Sequence, residues 1–198
     1  MGRIVVVNFS SIDGVIQSPL SPDEDTDGGF DRGGWVPPLS DDVVDDVMQD
    51  ATVRAAAMLL GRRSYEILRD AWANADESVP AIAAMNRMPK YVVTSSPLGS
   101  PWQNSHVIDG DLPRAVRDVV ARTDGDVAVF GSGTLVRGLA AHDLVDEYRI
   151  LTFPLVLGAG KRMFDGESSL ARFRLSTSVA TPGGVVISTY TRHPIPFS

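Results

Sequence analysis

The chain has 198 residues, of which 43% are hydrophobic and 22% charged, a composition typical of a globular protein with a substantial core. It has no cysteine, which excludes disulfides, thiolate metal sites and a cysteine nucleophile. Its net charge of −7 argues against nucleic acid as the main partner. Because no apolar run could cross a bilayer and no basic, apolar leader is recognisable, we expect a cytoplasmic protein with one domain over residues 1–198.

Strand-like runs, many rich in valine and isoleucine, dominate the chain. In order they are Arg3–Ser10, Ala57–Leu60, Tyr91–Ser95, His106–Ile108, Val127–Phe130, Glu147–Phe153, Phe173–Val179 and Val185–Arg192. The early runs are almost continuously apolar and alternate with helical patterns, which predicts parallel strands covered on both faces. The last two flank Thr181-Pro182-Gly183-Gly184, a turn signal that predicts an antiparallel hairpin at the edge of a mixed sheet.

Helices are predicted between the earlier strands. Ser40 is the expected cap of the first helix, and Ser64–Leu68 begins a short second one. Val79–Met85 is a further short helix, and Pro113 fits the first turn of a helix that Gly125 ends.

The segment Gln17–Leu39 interrupts this alternation with a long, glycine-rich loop. Loops of this length in compact domains are often lids or binding loops. Phe30 and Trp35 could therefore stack on a flat substrate ring, or they could plug one end of the core. The two interpretations are compatible.

A glycine-rich turn follows the strand Val127–Phe130 and precedes an apolar helical pattern. Its residues are Gly131, Ser132, Gly133, Thr134 and Leu135. Such a strand–turn–helix junction presents backbone N–H groups to a phosphate. Val136 stands where a Rossmann fingerprint needs a small residue, and the Gly-Lys-Ser/Thr of a P-loop is missing, so a turn without a ligand remains an alternative.

A second junction of the same type contains two arginines. Gly61 follows a buried strand and leads into Arg62, Arg63 and Ser64. Arginine suits a phosphate monoester, the group that distinguishes NADPH from NADH. The alternative is a solvated basic helix start, although cations there oppose the helix dipole. The hydroxyls of Thr94, Ser95 and Ser96, after the third strand, suit ribose or phosphate oxygens.

Five motifs in this order resemble the dihydrofolate reductase-like superfamily, specifically the branch of the reductase domain of bacterial riboflavin biosynthesis and its stand-alone relatives. They are Asn8-Phe9-Ser10-Ser11-Ile12-Asp13-Gly14, Leu60-Gly61-Arg62-Arg63-Ser64-Tyr65-Glu66, Tyr91-Val92-Val93-Thr94-Ser95-Ser96, Val129-Phe130-Gly131-Ser132-Gly133-Thr134-Leu135 and Pro154-Leu155-Val156-Leu157-Gly158-Ala159-Gly160. The match spans nearly the whole chain. The resemblance implies a three-layer α/β/α fold with a mixed, mostly parallel eight-stranded sheet, and a homodimer.

The resemblance also implies a site for NADPH. Gly61 to Ser64 and Thr94 to Ser96 would hold the adenosine-phosphate half, and Gly131 to Leu135 the pyrophosphate. Ser11, Asp13 and Gly14 would border the nicotinamide and the substrate. The implied activity is hydride transfer to a small heterocycle, such as a phosphoribosylamino-pyrimidine. The alternatives are a non-catalytic nucleotide-binding protein that retains the fold, and an interaction protein that uses its apolar hairpin edge.

Two carboxylates are candidates for the proton donor. Asp41, with Asp42 beside it, lies near the place where dihydrofolate reductase has a carboxylate at the start of its first long helix. The alternative for this pair is charge that complements the helix dipole. Asp13 is the second candidate, although Asp-Gly is also ordinary turn chemistry. The scattered His106, His142 and His193 predict no metal site.

Overall fold

The computed structural model describes residues 2–165 and 170–193. Its strands form one eight-stranded sheet in the order β4-β3-β2-β5-β1-β6-β8-β7. They are β1 Arg3–Ser11, β2 Ala55–Gly61, β3 Lys90–Val93, β4 Ser105–Ile108, β5 Asp126–Phe130, β6 Glu147–Phe153, β7 Phe173–Ala180 and β8 Val186–Arg192. The first six run parallel, while β8 and β7 form the antiparallel edge, so the predicted mixed sheet is confirmed.

Helices cover both faces of this sheet. Those in the described part of the chain are α1 Asp42–Val53, α2 Arg62–Trp72, α3 Pro80–Arg87, α4 Leu112–Arg122 and α5 Gly133–Ala141. Helices α4 and α5 pack on one face, and α1, α2 and α3 pack on the other. The three-layer α/β/α arrangement is therefore confirmed.

The central strand β1 shows why its sequence is continuously apolar. Ile4 and Val6 point into the core under α4 and α5, whereas Val5 and Val7 point into the core under α1. All four are almost completely buried. A strand covered on both faces has no solvent side and therefore does not alternate between apolar and polar residues.

Two predicted helix starts are wrong by one or two residues. The cap of α1 is Asp41, whose carboxylate accepts a hydrogen bond from the Val44 N–H at 3.1 Å, whereas the Ser40 hydroxyl donates to Asp45. Helix α2 begins at Arg62 rather than Ser64 and continues to Trp72. Its start is earlier because Gly61, in an extended conformation, ends β2 and directly precedes the helix.

The Gln17–Leu39 loop contains single 3₁₀ turns at Asp27–Gly29 and Pro37–Leu39 and is packed against the core. Phe30 and Trp35 are both buried. The Trp35 indole donates to the Gln17 carbonyl at 3.0 Å, and its ring meets Phe153 edge-on at 5.5 Å between centroids. In this conformation the two rings fill the core end, so the plug interpretation describes their packing.

Lys90, the first residue of β3, is completely buried. Its ammonium donates to the carbonyls of Asn86, Met88 and Gln103 at 2.9–3.0 Å and lies 4.5 Å from the Trp102 ring centroid. Burial lowers the pKa of Lys90 to about 8. The side chain joins the end of α3 to the segments that enter β3 and β4.

Candidate functional site

The carboxyl ends of the six parallel strands lie at one edge of the sheet, which we call the carboxyl edge. Helices α2 and α5 begin there, directly after β2 and β5, and these two strands are neighbours. Since α2 lies on one face and α5 on the other, the chain leaves the two strands in opposite directions. Ligands of open α/β sheets bind in the crevice that such a divergence creates.

The Gly131 turn is fixed by a side chain from β1. Asn8, which is buried, donates from its amide to the Gly131 carbonyl at 3.1 Å and accepts from the Gly131 N–H at 2.5 Å. Gly131 and Ser132 both have left-handed backbone conformations, with φ of 59° and 55°. Glycine suits position 131, because its φ is positive and a Cβ there would closely approach the Ser64 hydroxyl, at 3.2 Å.

Two serine hydroxyls connect the Gly131 and Gly61 turns. The Ser132 N–H donates to the Ser64 hydroxyl at 2.9 Å, and the Gly61 N–H donates to the Ser132 hydroxyl at 3.1 Å. Each hydroxyl accepts a backbone bond and keeps its own proton for donation. The structure thus brings the two predicted phosphate turns together across neighbouring strands.

The helices that follow these turns have open N-termini. Neither α2 nor α5 has a side-chain cap, whereas Asp41 caps α1 and Asp111 caps α4. The first N–H groups of an α-helix have no acceptor within their own helix, and among the described residues no side-chain cap bonds to those at the starts of α2 and α5. Free N–H groups at a helix start carry partial positive charge and attract anions.

Arg62 extends from α2 towards the loop after β3. Its Nε donates to Glu66 at 2.9 Å, and its Nη1 donates to the carbonyls of Ser96 and Pro97 at 3.2 and 2.9 Å. Among the described residues, its Nη2 has no hydrogen-bond acceptor. Arg62 therefore lies beside Thr94–Ser96, the segment predicted to bind the same half of a dinucleotide.

A cavity of about 90 Å³ opens beside this segment, between the carboxyl ends of β3 and β4 and the start of α4. Thr94 and Ser95 line it, together with Ile108 and Asp109. The Thr94 hydroxyl also accepts from the Ser96 N–H at 3.2 Å, which fixes the turn. The cavity is a small, mainly apolar recess at one end of the crevice, in which Thr94 and Ser95 supply the hydroxyls.

Arg63 extends towards a different loop, Gln17–Leu39. Its guanidinium lies 3.6 Å from Asp25, while Lys161 lies 2.9 Å from Asp25 and 2.8 Å from Asp27. We call these four residues the Asp25 charge cluster. Although burial opposes it, hydrogen bonds to Asp27 and Asp25 raise the pKa of Lys161. The two arginines, predicted to act together, therefore contact different loops.

Asp13 joins the loop after β1 to the loop after β6. Its carboxylate accepts from the Ser11 hydroxyl at 2.7 Å and from the N–H groups of Leu157 and Gly158 at 3.0 and 2.8 Å, and it lies 3.3 Å from Arg162. The Ser11 hydroxyl and the Leu157 N–H hold the pKa of Asp13 well below its usual range. Gly14 continues the turn with a φ of 83°. This environment argues against Asp13 as a proton donor, although that role stays a prediction.

Asp41 joins α1 to the turn of the C-terminal hairpin. Besides capping α1, its carboxylate accepts from the Gly183 N–H at 2.8 Å. A hydrogen bond from Thr181, with that from Gly183, lowers the pKa of Asp41. Asp42 is exposed in the first turn of α1. The catalytic role of Asp41 also stays a prediction, because its carboxylate already has a structural role.

The model of the RibD C-terminal domain family matches residues 3–187. The chain belongs to this family. No curated protein matches the sequence. The RibD C-terminal domain assignment agrees with the resemblance drawn from the five motifs.

Solved structures share the fold of this RibD C-terminal domain. A riboflavin-biosynthesis-like protein from Shewanella sp. PV-4 superposes with a TM-score of 0.68 and 19% identity, over 96% of this chain and 99% of that one. A pyrimidine reductase-like protein from Corynebacterium diphtheriae gives 0.63 and 12%, over 98% and 92%. Dihydrofolate reductase from Enterococcus faecalis, complexed with NADP(H) and RAB-propyl, gives 0.63 and 14%, over 96% of each chain. At these identities the likeness establishes the fold alone.

Sequence reasoning did not predict the contacts by which Asn8, Asp25 and Lys161 shape the site of this RibD C-terminal domain, and Asn8 entered it only as part of a motif. Their partners are distant in the sequence, so no local pattern identifies them. Across residues 2–165 and 170–193, no helix is long and apolar enough to span a bilayer. The same residues contain no group of three His, Cys, Asp or Glu side chains placed to hold a metal.

Proposed function

We propose that the protein is an NADPH-dependent reductase that transfers hydride to a small heterocyclic substrate. The observation that carries the proposal is the pair of open helix N-termini on neighbouring strands, joined by Ser64 and Ser132. In the part of the chain that the structure describes, two neighbouring sets of backbone donors have no side-chain cap. A group with several anionic oxygens would satisfy them.

The donor set fits a dinucleotide with a phosphate monoester. The start of α5 would hold the pyrophosphate, together with the hydroxyls of Ser64 and Ser132. Arg62 would bind the monoester beside the cavity at Thr94. From β4 to β1 the crevice crosses four strand spacings, about 19 Å, which accommodates an extended ligand from this cavity to the loop at Ser11.

The bound nicotinamide would supply the hydride, and the protein supplies binding and orientation. Asn8 and the two serines fix the turn, so the backbone donors need no rearrangement when a ligand binds. The carboxyls of Asp13 and Asp41 both have lowered pKa values and are poor acids at neutral pH. Because neither carboxyl is a good acid, we propose that an ordered water supplies the proton.

A heterocycle such as a phosphoribosylamino-pyrimidine is the substrate class we propose. The riboflavin-biosynthesis-like and pyrimidine reductase-like neighbours support it. Beside the Asp13 carboxylate, Ile12 and Val156 expose apolar side chains, and the Ile12 N–H bonds to the Leu155 carbonyl at 2.9 Å. These side chains offer apolar surface for a flat ring, with polar groups of the loops close by.

Nicotinamide fluorescence titration tests the proposal directly. We expect NADPH to bind and NADH to bind at least about tenfold more weakly, because only NADPH carries the monoester that Arg62 would bind. NADPH oxidation with a panel of pyrimidine and pterin acceptors then identifies the substrate class. Equal affinity for NADPH and NADH, or no binding of either, would contradict the assignment of Arg62.

A non-catalytic nucleotide-binding protein is the second candidate. The observation that favours it is the structural use of both candidate acids, since Asp13 joins two loops and Asp41 caps α1. Such a protein would bind NADPH as tightly as a reductase and would not turn over any acceptor in the panel.

We also propose that the protein forms a homodimer. The edge strand β7 supports this, because every residue after Phe173 is exposed and Leu175 and Val179 present apolar side chains. It has neither the proline nor the lysine that commonly protects an edge. Light scattering of the wild type and Leu175→Lys tests the idea, since a dimer through β7 should dissociate in the variant.

A further inference from the structure

We propose that Asp25 is a latch that releases Arg63 when a phosphate binds to the start of α2. Without the ligand, Asp25 attracts Arg63 and links the Gln17–Leu39 loop to α2. A phosphate then takes over the guanidinium, while Lys161 continues to hold Asp25. This inference rests on the proposed function, since it requires a phosphate-bearing ligand at this helix.

The contacts around Asp25 divide unequally between its two sides. On the loop side, the Gln17 amide donates to the carbonyls of Asp25 and Asp27 at 2.9 Å, and its oxygen accepts from the Lys161 N–H at 2.9 Å. The Lys161 ammonium adds bonds to both carboxylates at 2.9 and 2.8 Å. Within the Asp25 charge cluster, α2 contributes only Arg63, at 3.6 Å.

The loss of the ion pair between Arg63 and Asp25 costs little free energy for either residue. The Arg63 side chain is 60% exposed, so its pair with Asp25 is weak and screened by salt. The Asp25 side chain is only 11% exposed, but it retains Lys161 when Arg63 leaves, so no buried charge loses its last partner. A phosphate offers Arg63 two oxygens in a forked geometry, which the distant carboxylate does not.

Packing of the loop on α2 and binding of a phosphate at the start of α2 oppose each other. Because Asp25 and a phosphate compete for Arg63, phosphate binding weakens the link between the loop and α2. By reciprocity, the intact link weakens phosphate binding by the same factor. Asp25 would therefore reduce the affinity for phosphate while the rest of the loop stays packed through Trp35 and Gln17.

The test uses the full chain, with inorganic pyrophosphate as the probe and calorimetry as the readout. We expect Asp25→Asn to bind pyrophosphate about three- to tenfold more tightly, because a carboxylate near the anion is removed. The matched control is Asp27→Asn, which removes a Lys161 partner and a longer-range attraction to Arg63 but no ion pair with it, and it should stay within about twofold of the wild type.

Hydrogen exchange of residues 18–29 provides a second measurement. Pyrophosphate should increase exchange there in the wild type and in Asp27→Asn, but not in Asp25→Asn. If Asp25→Asn does not fold, Arg63→Gln on the exposed helix start replaces it, and without ligand it should show the exchange of the liganded wild type.

The outcomes separate the latch from the proposed function. If NADPH and pyrophosphate bind but neither the variants nor the ligand changes loop exchange, the latch is wrong and the reductase proposal stands. If Asp25→Asn binds pyrophosphate with the affinity of the wild type, the latch is likewise wrong and the reductase proposal stands. If neither NADPH nor pyrophosphate binds the wild type, both proposals are wrong.

Discussion

Helices α1 and α4 begin with an aspartate that accepts a hydrogen bond from their own backbone, whereas α2 and α5 begin without one. All four follow parallel strands and begin at the carboxyl edge, although α1 starts only after the Gln17–Leu39 loop. The remaining described helix, α3, also has no side-chain cap, but it follows α2 and not a strand. The uncapped pair follows the neighbouring strands β2 and β5. In the described part of the chain, the backbone donors at these two neighbouring helix starts therefore have no side-chain cap.

The missing caps have a cost in stability, since a good N-cap stabilises a helix by about 1 kcal/mol. Ser132 shows how the chain incurs it. It stands at the N-cap position of α5, yet its left-handed backbone directs the hydroxyl to the Gly61 N–H instead of to its own helix. The residue that could close the helix instead fixes the neighbouring turn.

Converting an open helix start into a closed one should have the largest effect. In Gly61→Asp the new carboxylate would cap α2, because Gly61 is already extended and a Cβ there meets only ordinary contacts. We expect NADPH affinity to fall by about 100-fold, since the carboxylate occupies the donors and repels the phosphates. Thermal stability should stay equal to the wild type or rise.

The matched control is Gly61→Asn, which can cap the helix without adding a charge. It should lose less affinity than Gly61→Asp. If NADPH titration gives equal, undiminished affinity for both variants, the start of α2 does not bind a phosphate.

Replacing each arginine of α2 in turn by glutamine should give the next largest effect. The two variants should distinguish the residue that binds the monoester from the residue that binds a group common to both cofactors. Arg62→Gln should reduce the preference for NADPH over NADH by about tenfold, because Arg62 lies beside the Thr94–Ser96 segment. Arg63→Gln should weaken NADPH and NADH alike. Competitive titration with both cofactors measures the ratio, and a loss of preference in Arg63→Gln alone would reverse the assignment.

Removing the N-cap of α1 should reduce the stability of the protein without affecting its affinity for the cofactor. Asp41→Ala should lower the unfolding temperature by about 2–4 °C at neutral pH, since one cap is lost. Because the pKa of Asp41 is lowered in the folded state, its contribution is present above the unfolded pKa and is lost as the pH falls below about 4. The difference from the wild type should therefore shrink in acid.

The activity of Asp41→Asn shows whether this carboxyl also donates a proton. Asparagine keeps a cap at α1, so folding and NADPH binding should persist. Loss of turnover in this variant alone would assign the proton to Asp41.

Asp13→Asn should have the smallest effect on the reaction itself. The carboxyl is ionised across the neutral range, so its replacement should leave the pH dependence of turnover unchanged. We expect turnover to fall by no more than about tenfold through the loosened loops. A pH profile that loses its ionisation, with NADPH affinity intact, would instead make Asp13 the donor.

The sequence is sufficient to predict the strands along the chain, the parallel first part and the antiparallel hairpin, because continuous apolar runs and the Thr181–Gly184 turn are local signals. The order of the strands within the sheet was not predicted. It does not reveal which chain segments meet. Asn8 and Gly131 are 123 residues apart, and Asp13 and Gly158 are 145 apart. Only the register of β1 against its neighbours brings such pairs together, so the turns were predictable while the contacts that fix them were not.

Arg62 and Arg63 contact different loops, and the sequence could not predict this because their partners are mostly distant in the chain. Both residues follow Gly61 and look equivalent in the sequence. Their difference depends on Glu66 and Ser96 on one side and on Asp25 on the other. The ion pair with Glu66 is local, but the remaining partners belong to separate loops.

Lysine occurs at only two positions in the chain, Lys90 and Lys161. Lys90 is enclosed by carbonyls and Trp102, while the Lys161 side chain is 46% exposed. An amine-reactive dye applied to the folded protein would therefore modify a single lysine side chain. That side chain lies next to Asp25, so its acylation rate would report how tightly the Gln17–Leu39 loop packs around it. The measurement needs no new residue in the chain.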